Sequence, residues 1–229
     1  MLSENITISN VTVKTHGPNN DGCNPESCKN VLIKDCFFDT GDDCIAIKAG
    51  RGGDGHRINV PTENIVIQGC VMRDGHGGVV MGSEISGGCR NLFAENLQMD
   101  SPRLQRVLRI KTNSLRGGIV ENIHLRNIDV GEVRESIVRV NFYYEEGDVG
   151  PHIPIVRNVY LQNITSNKSK YAFYLRGYER SPISNFVLVD CTFDGITDGN
   201  VISDYKDFTL ENVTINGELV SSIDELLAK

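Results

Sequence analysis

One nine-residue pattern returns eight times along the chain: an Asn, apolar residues on alternate positions, and a small or polar residue five places after the start. It begins at Asn5 (NITISNVTV), Asn30 (NVLIKDCFF), Asn64 (NIVIQGCVM), Asn91 (NLFAENLQM), Asn122 (NIHLRNIDV), Asn158 (NVYLQNITS), Asn185 (NFVLVDCTF) and Asp207 (DFTLENVTI), at spacings of 25, 34, 27, 31, 36, 27 and 22 residues. Alternation of period two with β-branched residues makes each copy a strand. The fifth position carries Asn10, Asp35, Gly69, Asn96, Asn127, Asn163, Asp190 and Asn212, types that tolerate left-handed backbone and whose side chains can hydrogen-bond along a stack. The position after it is always apolar. No helical period of 3.6 intervenes, which excludes βαβ and leucine-rich repeats, and the connectors are too long and unequal for tight hairpins. The solution that remains is all-β: a single-stranded, right-handed parallel β-helix of about eight coils, each rising about 4.8 Å.

The whole chain, 1–229, reads as one such domain, with SSIDELLAK (221–229) as its only helix-like stretch and a short C-terminal cap. Ser221 or Ser222 would be the N-cap. Four N-x-T sequons, at Asn5, Asn10, Asn163 and Asn212, coincide with repeated Asn positions and are read as structural rather than as glycan acceptors.

Composition narrows the partners. A net charge of -7 argues against sequence-independent nucleic-acid binding, and means that an acidic ligand must be held by a local basic cluster. No apolar run approaches a membrane span or a signal-peptide core. Seven cysteines form no paired C-x-x-C knuckles, so structural zinc is not expected. Cys36, Cys70 and Cys191 share one repeat position, which favours small buried thiols over a disulfide framework; the spacing of Cys23 and Cys28 leaves a bridge between them open.

Aligning the second and third coils at their starting Asn residues, an offset of 34, puts Ile45 on Val79, Ile47 on Met81 and Asp42 on His76. The preceding coil supplies Asp21, and the following one supplies Arg109 and Lys111, whose alternate spacing puts both on one strand face. Singly, Asp-Gly and Gly-Asp-Asp are ordinary turns, and an Arg-x-Lys pair is an ordinary solvated face. Together, Asp21, Asp42, Asp43, His76, Arg109 and Lys111 are expected on one strip. Crowded carboxylates cannot all ionise normally, so one should hold a proton while others hold water, as glycoside hydrolysis requires. Paired cations suit a uronate. A solenoid face offers the long groove that an extended polysaccharide needs.

The ordered set NNDG, GDDC, GHG and RIK on a parallel β-helix resembles the polygalacturonases of glycoside hydrolase family 28, over essentially the whole chain. The resemblance implies inverting hydrolysis of α-1,4-linked galacturonan. Asp42 would be the general acid, Asp21 and Asp43 would hold the attacking water, His76 would tune the acid, and Arg109 and Lys111 would grip the substrate carboxylate. It also implies a tyrosine beside the sugar one coil later, for which Tyr143 is the first choice and Tyr144 the second. GDDCIAIKAGR resembles exo-acting bacterial members and adds Lys48 and Arg51 as uronate contacts. The usual Thr of the first motif is Asn20 here, and the usual Ser before the imidazole is Gly75.

The family further implies secretion or a periplasmic location, coils preceding the first motif, and a monomer once those coils are supplied. It implies no cofactor and no metal. Two other readings stand beside it: a lyase-like eliminase, which would need Ca²⁺-ligating acids and an Arg base, and a non-catalytic carbohydrate-binding or structural β-helix. An acid and a water-holding carboxylate roughly 6.5–9.5 Å apart are expected for inversion. The sequence leaves open whether Asp42 or Asp43 pairs with Asp21.

Overall fold

In a computed structural model, which describes residues 1–228, the chain winds into a right-handed parallel β-helix. The eight pattern copies become eight parallel strands stacked in chain order, from Glu4–Ser9 through Lys29–Lys34 to Tyr205–Ile215. A second parallel sheet stacks Ile45–Ile47, Val79–Gly82, Arg106–Lys111, Ser136–Asn141, Tyr171–Arg176 and Val201–Ser203, again in chain order. The expected pairing of Ile45 with Val79 and of Ile47 with Met81 is found.

The bends follow from the repeated polar positions. Asn10, Asp35, Gly69, Asn96, Asn127, Asn163, Asp190 and Asn212 all have φ between 51° and 64°, as their residue types suggest. The starting Asn residues are left-handed as well, a second column that the alternation pattern did not reveal. Their amides form a ladder in which each Nδ2 donates to the Oδ1 of the coil before, at 2.8–3.0 Å, from Asn185 back to Asn5. A backbone conformation costly for most residues is thus offset by hydrogen bonds that only a short amide side chain can make.

Between the bends, inward residues stack into columns. Ile33, Ile67, Ala94, Leu125, Leu161 and Leu188 form one, and Cys36, Cys70, Leu97, Ile128, Ile164, Cys191 and Val213 another, all buried. Burying each large side chain contributes about 1.5–3 kcal/mol. All seven cysteines are free thiols, Cys23 and Cys28 included. Burial pushes the Cys44 and Cys89 thiols up to about 12.

One helix escapes the sequence reading. Gly52–Ile58 (GGDGHRI) has no apolar stripe, so nothing in its periodicity marks it. Tertiary contacts hold it instead: the Gly52 N–H donates to Ser86 Oγ at 3.0 Å, and Gly55 lies so close to Gly50 that an added Cβ would come within 2.6 Å of the Gly50 carbonyl carbon. At the C-terminal end, Ile223–Leu227 is helical, with Ser222 as N-cap accepting from the Glu225 N–H at 3.2 Å. Leu226 is buried, and its carbonyl accepts from Asn200 Nδ2 at 2.9 Å. Lys229, the last residue of the anticipated cap, lies outside the described residues.

Candidate active site

The second sheet and the turns at its edges carry the polar cluster. The Asp42–Asp43 turn sits just before Ile45–Ile47, fixed by Thr40 Oγ1 donating to the Asp42 carbonyl at 2.7 Å. Gly41 and Gly75 allow neighbouring coils to close over it. An added Cβ would come 2.2 Å from the Gly17 carbonyl oxygen at Gly41, and 2.5 Å from the Asp42 carbonyl oxygen at Gly75. Gly75 has φ +144°, so its place next to His76 follows from the backbone, not from side-chain chemistry. Asn20 bonds Thr15 through its side chain, while its carbonyl accepts from the Asp42 N–H at 3.3 Å.

Asp21, Asp42 and Asp43 each bring one carboxylate oxygen within 4.8 Å of the other two. Asp43 is 2% exposed; its two oxygens meet Lys111 Nζ at 2.8 Å and Arg109 Nη1 at 3.3 Å. Burial pulls the Lys111 ammonium below its ordinary value, and Arg109 adds to that, against the attraction of Asp43. Asp21 Oδ2 accepts from Asn24 Nδ2 at 2.8 Å and pairs with Lys48 Nζ at 3.3 Å. Burial alone would lower Lys48, but Glu84, 3.1 Å away, and Asp21 outweigh it and hold Lys48 above its ordinary value.

Asp42 Oδ1 is occupied on two sides, by the Asp43 N–H at 2.8 Å and by His76 Nδ1 at 2.9 Å, which leaves Oδ2 turned elsewhere. Arg106 donates to the His76 carbonyl at 3.0 Å and also bonds Glu135, which fixes the His76 backbone. Three carboxylates thus face three cations, Lys48, Arg109 and Lys111. A divalent ion would fit the oxygen spacing, but its place is already lined by these positive groups.

These residues border a cleft of about 330 Å³ that also takes in Arg51, Glu84, Arg116, Tyr144 and Glu145. Asp21, Asp42, Asp43, Lys48, Arg51 and Lys111 line it directly; His76 and Arg109 reach it through the carboxylates they touch. Tyr143 does not line it. Its ring stands edge-on to Tyr178, 4.9 Å away, under the Arg176 guanidinium. The cleft receives Tyr144 instead, with Arg109, Lys111 and Arg116 each within 5.8 Å of its ring centroid. Burial raises the Tyr144 phenol.

Arg116 was not among the expected residues. It is 3% exposed, pairs with Glu145 and Glu146, and keeps Nη1 without a partner. The only sequence signal for it is its place in the turn after RIK. The carboxylate spacing also differs from expectation, being tighter than the 6.5–9.5 Å usual for inversion.

A parallel β-helix carrying three clustered aspartates, an imidazole and an Arg-x-Lys pair defines a family. The glycosyl hydrolases family 28 profile matches residues 1–217, and the chain belongs to that family. Among solved structures, an exopolygalacturonase from Thermotoga maritima is 40% identical, with a TM-score of 0.90 over 95% of this chain and 48% of that one. A probable polygalacturonase of Vitis vinifera is 28% identical over 84% of this chain and 40% of its own length. The exo-poly-alpha-D-galacturonosidase of Dickeya chrysanthemi is 29% identical over 96% of this chain and 41% of its own. The chain therefore spans about two fifths of the length of these curated relatives. No helix among the described residues is long and apolar enough to cross a membrane.

Proposed function

We propose that the protein hydrolyses α-1,4-galacturonosidic bonds of polygalacturonate, releasing units from a chain end, outside the cytoplasm. The observation that carries this reading is the convergence of Asp21, Asp42 and Asp43 with His76, Lys48, Arg109 and Lys111 on one cleft. The exo mode draws on the similarity to the exopolygalacturonase from Thermotoga maritima.

Asp42 is the general acid. With Oδ1 held by His76 and the Asp43 N–H, its proton sits on Oδ2 and passes to the leaving glycosidic oxygen as the C1–O bond breaks. A water held by Asp21 and Asp43 attacks C1 from the opposite face and gives up its proton to Asp21. The short carboxylate spacing suits this step: one water can donate both protons, at about 2.8 Å each, to two oxygens about 4.5 Å apart. With both Asp43 oxygens engaged by cations, a covalent glycosyl ester on that residue is disfavoured. The uronate carboxylate binds Lys111 and Arg109, the Arg-x-Lys pair at the cleft floor.

Reducing-end release from polygalacturonate, with product sizing, tests the reading. Monomeric galacturonate from the start of the reaction is expected. Products absorbing in the ultraviolet would identify an eliminase instead, and a lack of any cleavage together with tight binding would identify a binding module.

A further inference from the structure

The cation-bearing face of the second sheet does not end at the cleft. Arg109 is in register with Arg139 on the next coil, and Arg139 with Tyr174 on the one after. In the neighbouring row Lys111 is followed by Asn141 and then by Arg176. These positions point outward, and all four of Arg139, Asn141, Tyr174 and Arg176 are half-buried. Each arginine is braced on a phenol ring, Arg139 on Tyr174 at 4.3 Å and Arg176 on Tyr143 at 4.6 Å. Arg139 shares Glu135 with Arg106, whereas Arg176 pairs with no carboxylate among the described residues.

From this row we infer that Arg139 and Arg176, with Tyr143 and Tyr174, hold the continuation of the acidic polysaccharide beyond the cleft, along the next two coils. The inference rests on the proposed function. Coils stand about 4.8 Å apart, so Arg139 follows Arg109 on the scale of one sugar, and Arg176, one coil further and two residues along the strand, follows on the scale of two, while a polyuronate carries one carboxylate per sugar. Planar forks recognise carboxylates in two-point fashion, and a ring beside each fork offers a face for the apolar side of a pyranose. Tyr143, which does not line the cleft, gains a role here.

The test compares ligand lengths. Binding of digalacturonate and hexagalacturonate is measured on an Asp42→Asn background, which leaves the ligand intact, with and without Arg139→Gln plus Arg176→Gln. The double change should weaken hexamer binding by about tenfold and flatten its salt dependence, while dimer binding moves by less than about twofold. The Arg176→Lys variant, which keeps the charge but loses the fork, should recover part of the hexamer affinity. Unchanged hexamer binding, or equal losses for both ligands, would overturn the inference. Failure of the Asp42→Asn protein itself to bind either ligand would instead bring down the proposed function.

Discussion

The Asn ladder makes a prediction of unusual sign. Asn91 has φ 58°, donates to Asn64 and accepts from Asn122, both at 3.0 Å. Replacement by Ala removes both bonds, about 0.5–1 kcal/mol each at this partly solvated site, and keeps the left-handed strain of a Cβ, about 1–2 kcal/mol, that Asn91 already bears. The net loss is about 1–2 kcal/mol, an appreciable share of the 5–15 kcal/mol typical of a folded domain. Replacement by Gly loses the same bonds without the backbone strain, against about 0.5–1 kcal/mol of extra chain entropy. Asn91→Gly should therefore be more stable than Asn91→Ala by up to about 1 kcal/mol, the reverse of the order found in an ordinary strand. Asn5→Ala, at the end of the ladder, loses only the bond from Asn30 and should be milder. Urea unfolding followed by far-ultraviolet circular dichroism measures the order. An Ala variant more stable than the Gly variant, or two variants indistinguishable from wild type, would refute the account of the bends.

Other outcomes follow from the site and the core. Proton NMR of the first-formed product should show the anomer inverted relative to the substrate; a retained anomer would assign the tight carboxylate cluster to a covalent route. Cys44 and Cys89 ionise only near 12 in the folded chain, against an ordinary 9.0. Above about pH 9 the unfolded chain releases thiol protons that the folded chain retains, so stability should fall from there toward pH 11, by at most about 1.4 kcal/mol per pH unit for each thiol. The urea midpoint between pH 8 and pH 11 checks this, and Cys89→Ala should flatten the decline; a midpoint that rises with pH would contradict it.

Much of the molecule was legible because a solenoid makes register local. Once the strand starts are aligned, the residue above Asp42 is His76 and the residues paired with Val79 and Met81 follow by counting. The same counting fails wherever a turn breaks the repeat. The Gly52–Ile58 helix has no periodic signal because it is held by Ser86 from another coil and by the close packing of Gly55 on Gly50. The choice between Tyr143 and Tyr144 depends on which way a turn residue points, which strand parity does not carry past Asn141. Arg116 lies in such a turn, and its value comes from burial with one nitrogen left over, a property of packing alone. The left-handed conformation of the starting Asn residues was hidden for a different reason: at a strand start an Asn reads as ordinary punctuation, and only the stacked amides explain it.

Asp42→Asn bears most directly on the chemistry assigned to the cleft. Asparagine preserves the acceptor for His76 and the shape of the turn but has no acidic proton to give the leaving oxygen. Turnover of polygalacturonate should drop by about two orders of magnitude or more, while affinity for oligogalacturonates stays within a few-fold. Turnover that persists at the wild-type level would contradict the assignment of Asp42, and with it the mechanism built around the three aspartates.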